Sequence, residues 1–159
     1  MNNANKAIII MTIIAIIGIA AVLTMALSDN NEMSDSSDWI TKELSGLKFK
    51  VPDKYESGAL MSGNIIDGVK AGDTYQSEDL TISINNTDWT NELDKYMEST
   101  TATMILLNID GRDIKTFSDD GNSVAFFEIN GTKVTMTWSG EDVTGDIKAI
   151  IASLFQLNK

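Results

Sequence analysis

Cysteine and histidine are both missing from these 159 residues, and proline and arginine occur once each, at Pro52 and Arg112. No disulfide can form, so the fold must hold by its own core. Thiolate nucleophiles, imidazole bases and Cys/His zinc sites are excluded for want of the atoms. Positive charge is scarce as well: 12 basic against 23 acidic side chains leave a formal charge of −11 and an isoelectric point near 4.2. That balance repels nucleic acid and anionic lipid headgroups alike, so no nucleic-acid partner is expected. No HExxH, GxSxG or phosphate-cradling glycine loop occurs. Paired carboxylates of the glycosidase kind arise by chance among so many acids and mark surface. The expectation is therefore a protein that is not an enzyme, with no catalytic residue and no cofactor.

What the chain does have begins with an apolar run. From Ala7 to Leu27 there is no charge, and only Thr12, Gly18 and Thr24 interrupt the large apolar and alanine residues. A helix over 7–27 would reach about 30 Å, the hydrocarbon thickness of a bilayer. Lys6 precedes the run, while Asp29, Glu32, Asp35 and Asp38 follow it. The positive-inside bias then keeps residues 1–6 in the cytoplasm and places the rest outside a cell membrane crossed once. Thr24-Met25-Ala26 is a passable signal cleavage site, but the run exceeds the roughly 7–15 residues of a secretory h-region, so a retained anchor is expected. A pilin-like subunit is the competing reading, although such chains usually carry a carboxylate early in the apolar run and this one carries none. Residues 28–38, SDNNEMSDSSD, read as an acidic flexible linker.

The outer domain, 39–159, reads as a sheet with two helices. Leu47-Lys48-Phe49-Lys50-Val51 and Leu80-Thr81-Ile82-Ser83-Ile84 alternate strictly. Between them, 62–76 suggests a looser, interrupted strand. Trp89, Leu93, Tyr96 and Met97 form one helical stripe behind Asp88 as cap. Asp110-Gly111, Asp120-Gly121 and Asn130-Gly131 are hairpin dipeptides at ten-residue intervals. They predict a meander over roughly 104–109, 112–117, 123–129 and 132–138. With Asn130 and Gly131 as the loop, Phe127 faces Val134, Ala125 faces Met136, and Glu128 faces Lys133 as an opposite-charge pair. The same logic sets Leu107 opposite Ile114. Ile147, Ile150, Ile151 and Leu154 give the second stripe, capped by Thr144 or Asp142. The fold class is α+β: an antiparallel sheet with a four-stranded C-terminal meander and two packed helices.

Asp119, Asp120 and Asn122, with Ser118, gather oxygens at one turn, and Asn108, Asp110 and Asp113 gather them at another. Calcium wants six or more oxygens, and neither segment has EF-hand spacing. Asp and Asn are also what tight turns select for backbone reasons, so no metal site is expected. Successive meander turns should moreover lie at opposite ends of the sheet. Asn85-Asn86-Thr87 and Asn130-Gly131-Thr132 are glycosylation sequons on the exported side, making Asn85 and Asn130 possible acceptors. Trp89 and Trp138 are expected in the core.

The segment Leu47-Lys48-Phe49-Lys50-Val51-Pro52, followed by Tyr55, resembles the PsbP-like domain family and its Ran-binding relatives. Thr132–Trp138 leading into Ile147–Phe155 is similar to the late hairpin and terminal helix of that family. With its anchor, the chain is also similar to small envelope proteins of methanogenic archaea. The resemblance implies an antiparallel sheet flanked by helices and an accessory or assembly role without catalysis. The expected function is a membrane-anchored, extracytoplasmic binding or assembly module with an envelope protein partner. A structural pilin-like or surface subunit, or a small-ligand or cation carrier, are the alternatives.

Overall fold

The computed structural model describes residues 32–63, 65–66, 69–70 and 72–159. The apolar run expected to span a membrane lies outside the described residues. Among those described, no helix is long and apolar enough to cross one.

The architecture is α+β, with antiparallel sheets and two helices. β1 (Ile40–Leu44) and β2 (Leu47–Val51) form a two-stranded ribbon. Ser45 and Gly46 close it with φ of 48° and 91°, the paired positive values of a tight hairpin. The sequence reading missed β1, because Ile40 and Leu44 bracket a polar middle and only one face of the strand meets the core. Pro52 ends β2, and a 3-10 turn follows at Asp53–Tyr55.

β3 (Ala59–Met61) follows, and the stretch 62–76, expected as a looser, interrupted strand, holds three short ones: β4 (Ile65–Ile66), β5 (Val69–Lys70) and β6 (Asp73–Gln76). β7 (Leu80–Ile84) then leads to helix α1 (Trp89–Glu98). The meander β8 (Thr103–Ile109), β9 (Arg112–Asp119), β10 (Asn122–Ile129) and β11 (Thr132–Ser139) precedes helix α2 (Gly145–Leu157). Seven strands make one antiparallel sheet in the order β3-β6-β7-β11-β10-β9-β8. All three meander turns have positive φ at both loop residues, from 49° to 81°. The expected pairs Phe127–Val134, Ala125–Met136, Glu128–Lys133 and Leu107–Ile114 are all in register.

One face of the sheet presents Leu80, Ile82, Ile84, Leu107, Ile114, Phe127, Val134 and Met136 to α2, whose other side packs on Phe49 and Val51 of the ribbon. Held between sheet and ribbon, α2 is buried almost continuously from Ile147 to Phe155. The Thr144 hydroxyl caps it by accepting from the Ile147 amide. Ser153 Oγ receives the Lys50 amide at 2.8 Å, and the Asn158 side chain bonds both the amide and the carbonyl of Lys48. The ribbon is thus hydrogen-bonded to the helix as well as packed on it.

Among the described residues, the opposite face is covered by α1. Trp89, Phe117, Val124 and Phe126 are buried there, with Leu93, Tyr96, Ala102 and Met104 around them. Asp88 precedes α1 but does not cap it with its side chain, which takes the Asn91 amide group instead. Lys133 lies opposite Glu128 as expected, yet its ammonium goes elsewhere. It donates to Thr90 Oγ1 at 2.7 Å and sits 5.0 Å from the centre of the Trp89 ring, tying α1 to β11.

Candidate functional site

The acidic turns are occupied with structure. Asp119 Oδ2 accepts from Thr101 Oγ1, and the Asn122 side chain donates to the Asp120 carbonyl. Beneath them, the hydroxyls of Ser118 and Ser123 lie 2.8 Å apart and donate to the carbonyls of Glu141 and Gly140. The turn is therefore stitched to the β11–α2 connection. At the other end of the sheet, Asp113 accepts from Asn108, and Asp110 accepts from Gln156. The topology keeps the two groups at opposite ends of β9, and among the described residues no three carboxylates gather.

The two sequons differ. Asn130 donates at 2.6 Å to the Asn158 carbonyl just beyond α2, so its amide is engaged. Asn85 is exposed, with φ of 56° at the end of β7. Ser45 and Lys48 have the spacing of serine–lysine acylases, but Ser45 occupies a hairpin turn and donates to Asp73 Oδ2 at 2.6 Å. No helix brings the lysine beside it. A shallow pocket of about 180 Å³ between α1 and β7 is lined by Glu78, Asp79, Thr81 and Thr137 together with Tyr96, Val124 and Trp138, a mixed polar and apolar hollow.

Two features escaped the sequence reading. The first is the seat of the acidic linker, whose residues 32–38 lie on the domain. Ser34 donates its amide to the Gly145 carbonyl and its hydroxyl to Asp146 Oδ1 at 2.7 Å. Lys50 Nζ reaches the carbonyls of Ser36 and Ser37. Lys54 pairs with Asp146 at 2.7 Å. Burial alone would lift the Asp146 carboxyl, but Lys54 and Ser34 outweigh it and hold it below the usual carboxylate range. The same ion pair raises Lys54. A side chain at Gly145 would strike the Glu32 carbonyl, with Cβ at 2.3 Å, so glycine is what lets the linker approach. Nothing in 28–38 announces this, because the partners of Ser34 lie more than a hundred residues away and Lys50 is reached only once β2 is in place.

The second feature is the edge formed by β8. Among the described residues no strand pairs with its outer side. It carries Met104, Ile105, Leu106 and Leu107 in a row, and Leu106 is 48 % exposed. From Ser99 to Ile109 there is no charged residue, the longest such stretch after the amino-terminal run. Edge strands are commonly guarded by lysine, proline or a bulge, and β8 has none of these. That uncharged run was the available signal.

The sequence matches no protein-family model and no curated protein.

Proposed function

We propose that this chain is a non-catalytic binding or assembly module, held by a single amino-terminal membrane span with its α+β domain outside the cell membrane. The observation that carries the reading is the open, uncharged and apolar edge of β8 in a chain of net charge −11. An edge of this kind exposes backbone donors and acceptors that another strand can satisfy. The apolar run over 7–27 supports the anchor. A relationship to PsbP-like domains belongs to the same proposal. It is supported by the Leu47–Pro52 pattern and by an antiparallel sheet whose last hairpin feeds a terminal helix.

Fractionation of cells expressing the full chain tests the anchor. The protein should stay in the membrane fraction through carbonate and high-salt washes, since an inserted apolar helix is held by hydrophobic transfer. Capture from detergent-solubilised membranes should then recover a protein complex that a charge at Leu106 disrupts. Release by carbonate would remove the anchor, and complexes indifferent to Leu106 would remove β8 as the binding surface.

A further inference from the structure

We propose that β8 pairs with β8 of a second copy of this chain, antiparallel, about a two-fold axis that runs normal to the sheet midway between the two Leu106 residues. The proposal rests on the binding-module reading above and names its partner. In a hairpin closed by a two-residue loop, the flanking pair exchanges hydrogen bonds, here Ile109 with Arg112. Alternation then commits the backbone groups of Thr103, Ile105, Leu107 and Ile109 to β9. The amides and carbonyls of Met104, Leu106 and Asn108 point outward. Pairing about Leu106 sets Leu106 against its own copy and Met104 against Asn108 in both directions. Every outward donor and acceptor then finds a partner, and all seven residues of the strand are used.

The side chains agree with that register. On the α1 face, Leu106 meets Leu106, both half exposed in the single chain. On the α2 face, Ile105 meets Leu107. No charged residue from Thr103 to Ile109 opposes another, which is the condition two acidic copies must satisfy to approach. A basic partner would find no anion on this strand to recognise. The axis also keeps like faces together, so α2 lies on the same side of the joined sheet in both copies. Ser34, bonded to the first turn of α2, therefore sits on that same side in each. Confinement of two chains in one membrane would raise their effective concentration.

The native chain has no cysteine, so single replacements report without background. In the full chain in its membranes, Leu106→Cys should cross-link to a dimer under mild oxidation. Residues directly opposite in a hydrogen-bonded pair have Cα atoms about 5.5 Å apart, inside the disulfide range. Asn108→Cys should cross-link at least tenfold more slowly, because its copies lie about 14 Å apart in this register. Leu106→Lys should abolish the dimer by setting two ammonium groups face to face. Raising salt should strengthen the native dimer, since it screens repulsion between acidic copies. Equal rates at 106 and 108, or no cross-link at 106, overturn the proposal. If 106 fails to cross-link while Leu106→Lys still releases some other membrane protein, the self-pairing falls and the binding module stands. If the chain leaves the membrane fraction, the anchor falls, and the cross-link still reads the pairing.

Discussion

The two faces of the sheet are closed by unequal means. On one, α2 and the β1–β2 ribbon complete a core that holds twenty-five of the described residues, in which Phe49, Ile82, Ile114, Val134, Ile150 and Leu154 are inaccessible to solvent. On the other, a ten-residue helix shields four buried residues and leaves Met97 and Leu106 nearly half exposed. Hydrophobic burial scales with the area removed from water, so stability should be concentrated on the α2 face. The α1 face is closed enough to keep water from Phe117 and Phe126, yet retains apolar surface beside the open edge.

The largest effect should come from emptying the α2 side. Phe127→Ala removes a ring tilted against Phe155 with centroids 5.5 Å apart and should cost about 3–5 kcal/mol in denaturant unfolding. Phe126→Ala, one residue along on the α1 side, should cost less, about 2–3 kcal/mol, because α1 can settle into the space. Equal losses at the two positions would break the comparison.

A smaller loss is expected at the linker seat. Gly145→Ala forces residues 32–34 away and should cost about 1–2 kcal/mol, with protease cutting within 32–38 sooner than in the native chain. Unchanged cleavage would mean that the seat does not hold the linker in solution. Acid should reveal the same cluster. The Asp146 carboxyl is lowered in the folded chain, so its stabilisation is present above the unfolded pKa and is lost as pH falls through the folded one. Below about pH 4, Asp146→Asn should therefore lose stability less steeply than the native domain. Parallel curves would remove the ion pair from the account. The smallest effect belongs to Lys133→Met, about 0.5–1 kcal/mol, read as faster hydrogen exchange in α1 with the α2 core unchanged.

How much of this could be read beforehand follows from the range of the interactions. The meander was legible because each hairpin is set by a dipeptide at its tip, and pairs such as Phe127–Val134 follow by counting outward from it. Both helices were legible from their stripes. Strand β1 was not, since its middle is polar and only Leu44 is buried, and beyond β2 it meets β6, some thirty positions later. The destination of Lys133 was not either: register put it opposite Glu128, and only the docking of α1 shows Thr90 and Trp89 closer to hand. For the candidate surface, the uncharged run from Ser99 to Ile109 was visible all along. What sequence could not supply was that β8 ends the sheet, a property of strand order and not of any residue in it.

The linker seat has a mechanical consequence. β1 begins just after the linker, and Ile40 pairs with Val51 at the open end of the ribbon. A pull from the amino-terminal side, without the seat, would peel β1 from β2 one hydrogen bond at a time. With Ser34 fastened to Gly145 and Asp146, and Lys50 holding Ser36 and Ser37, the load passes first into the base of α2. Tension is thereby delivered to the most deeply packed helix, where several bonds must fail together. Force spectroscopy with the handle at residue 32 should show a higher rupture force for the native chain than for Gly145→Ala, in which the ribbon becomes the first part to carry the strain.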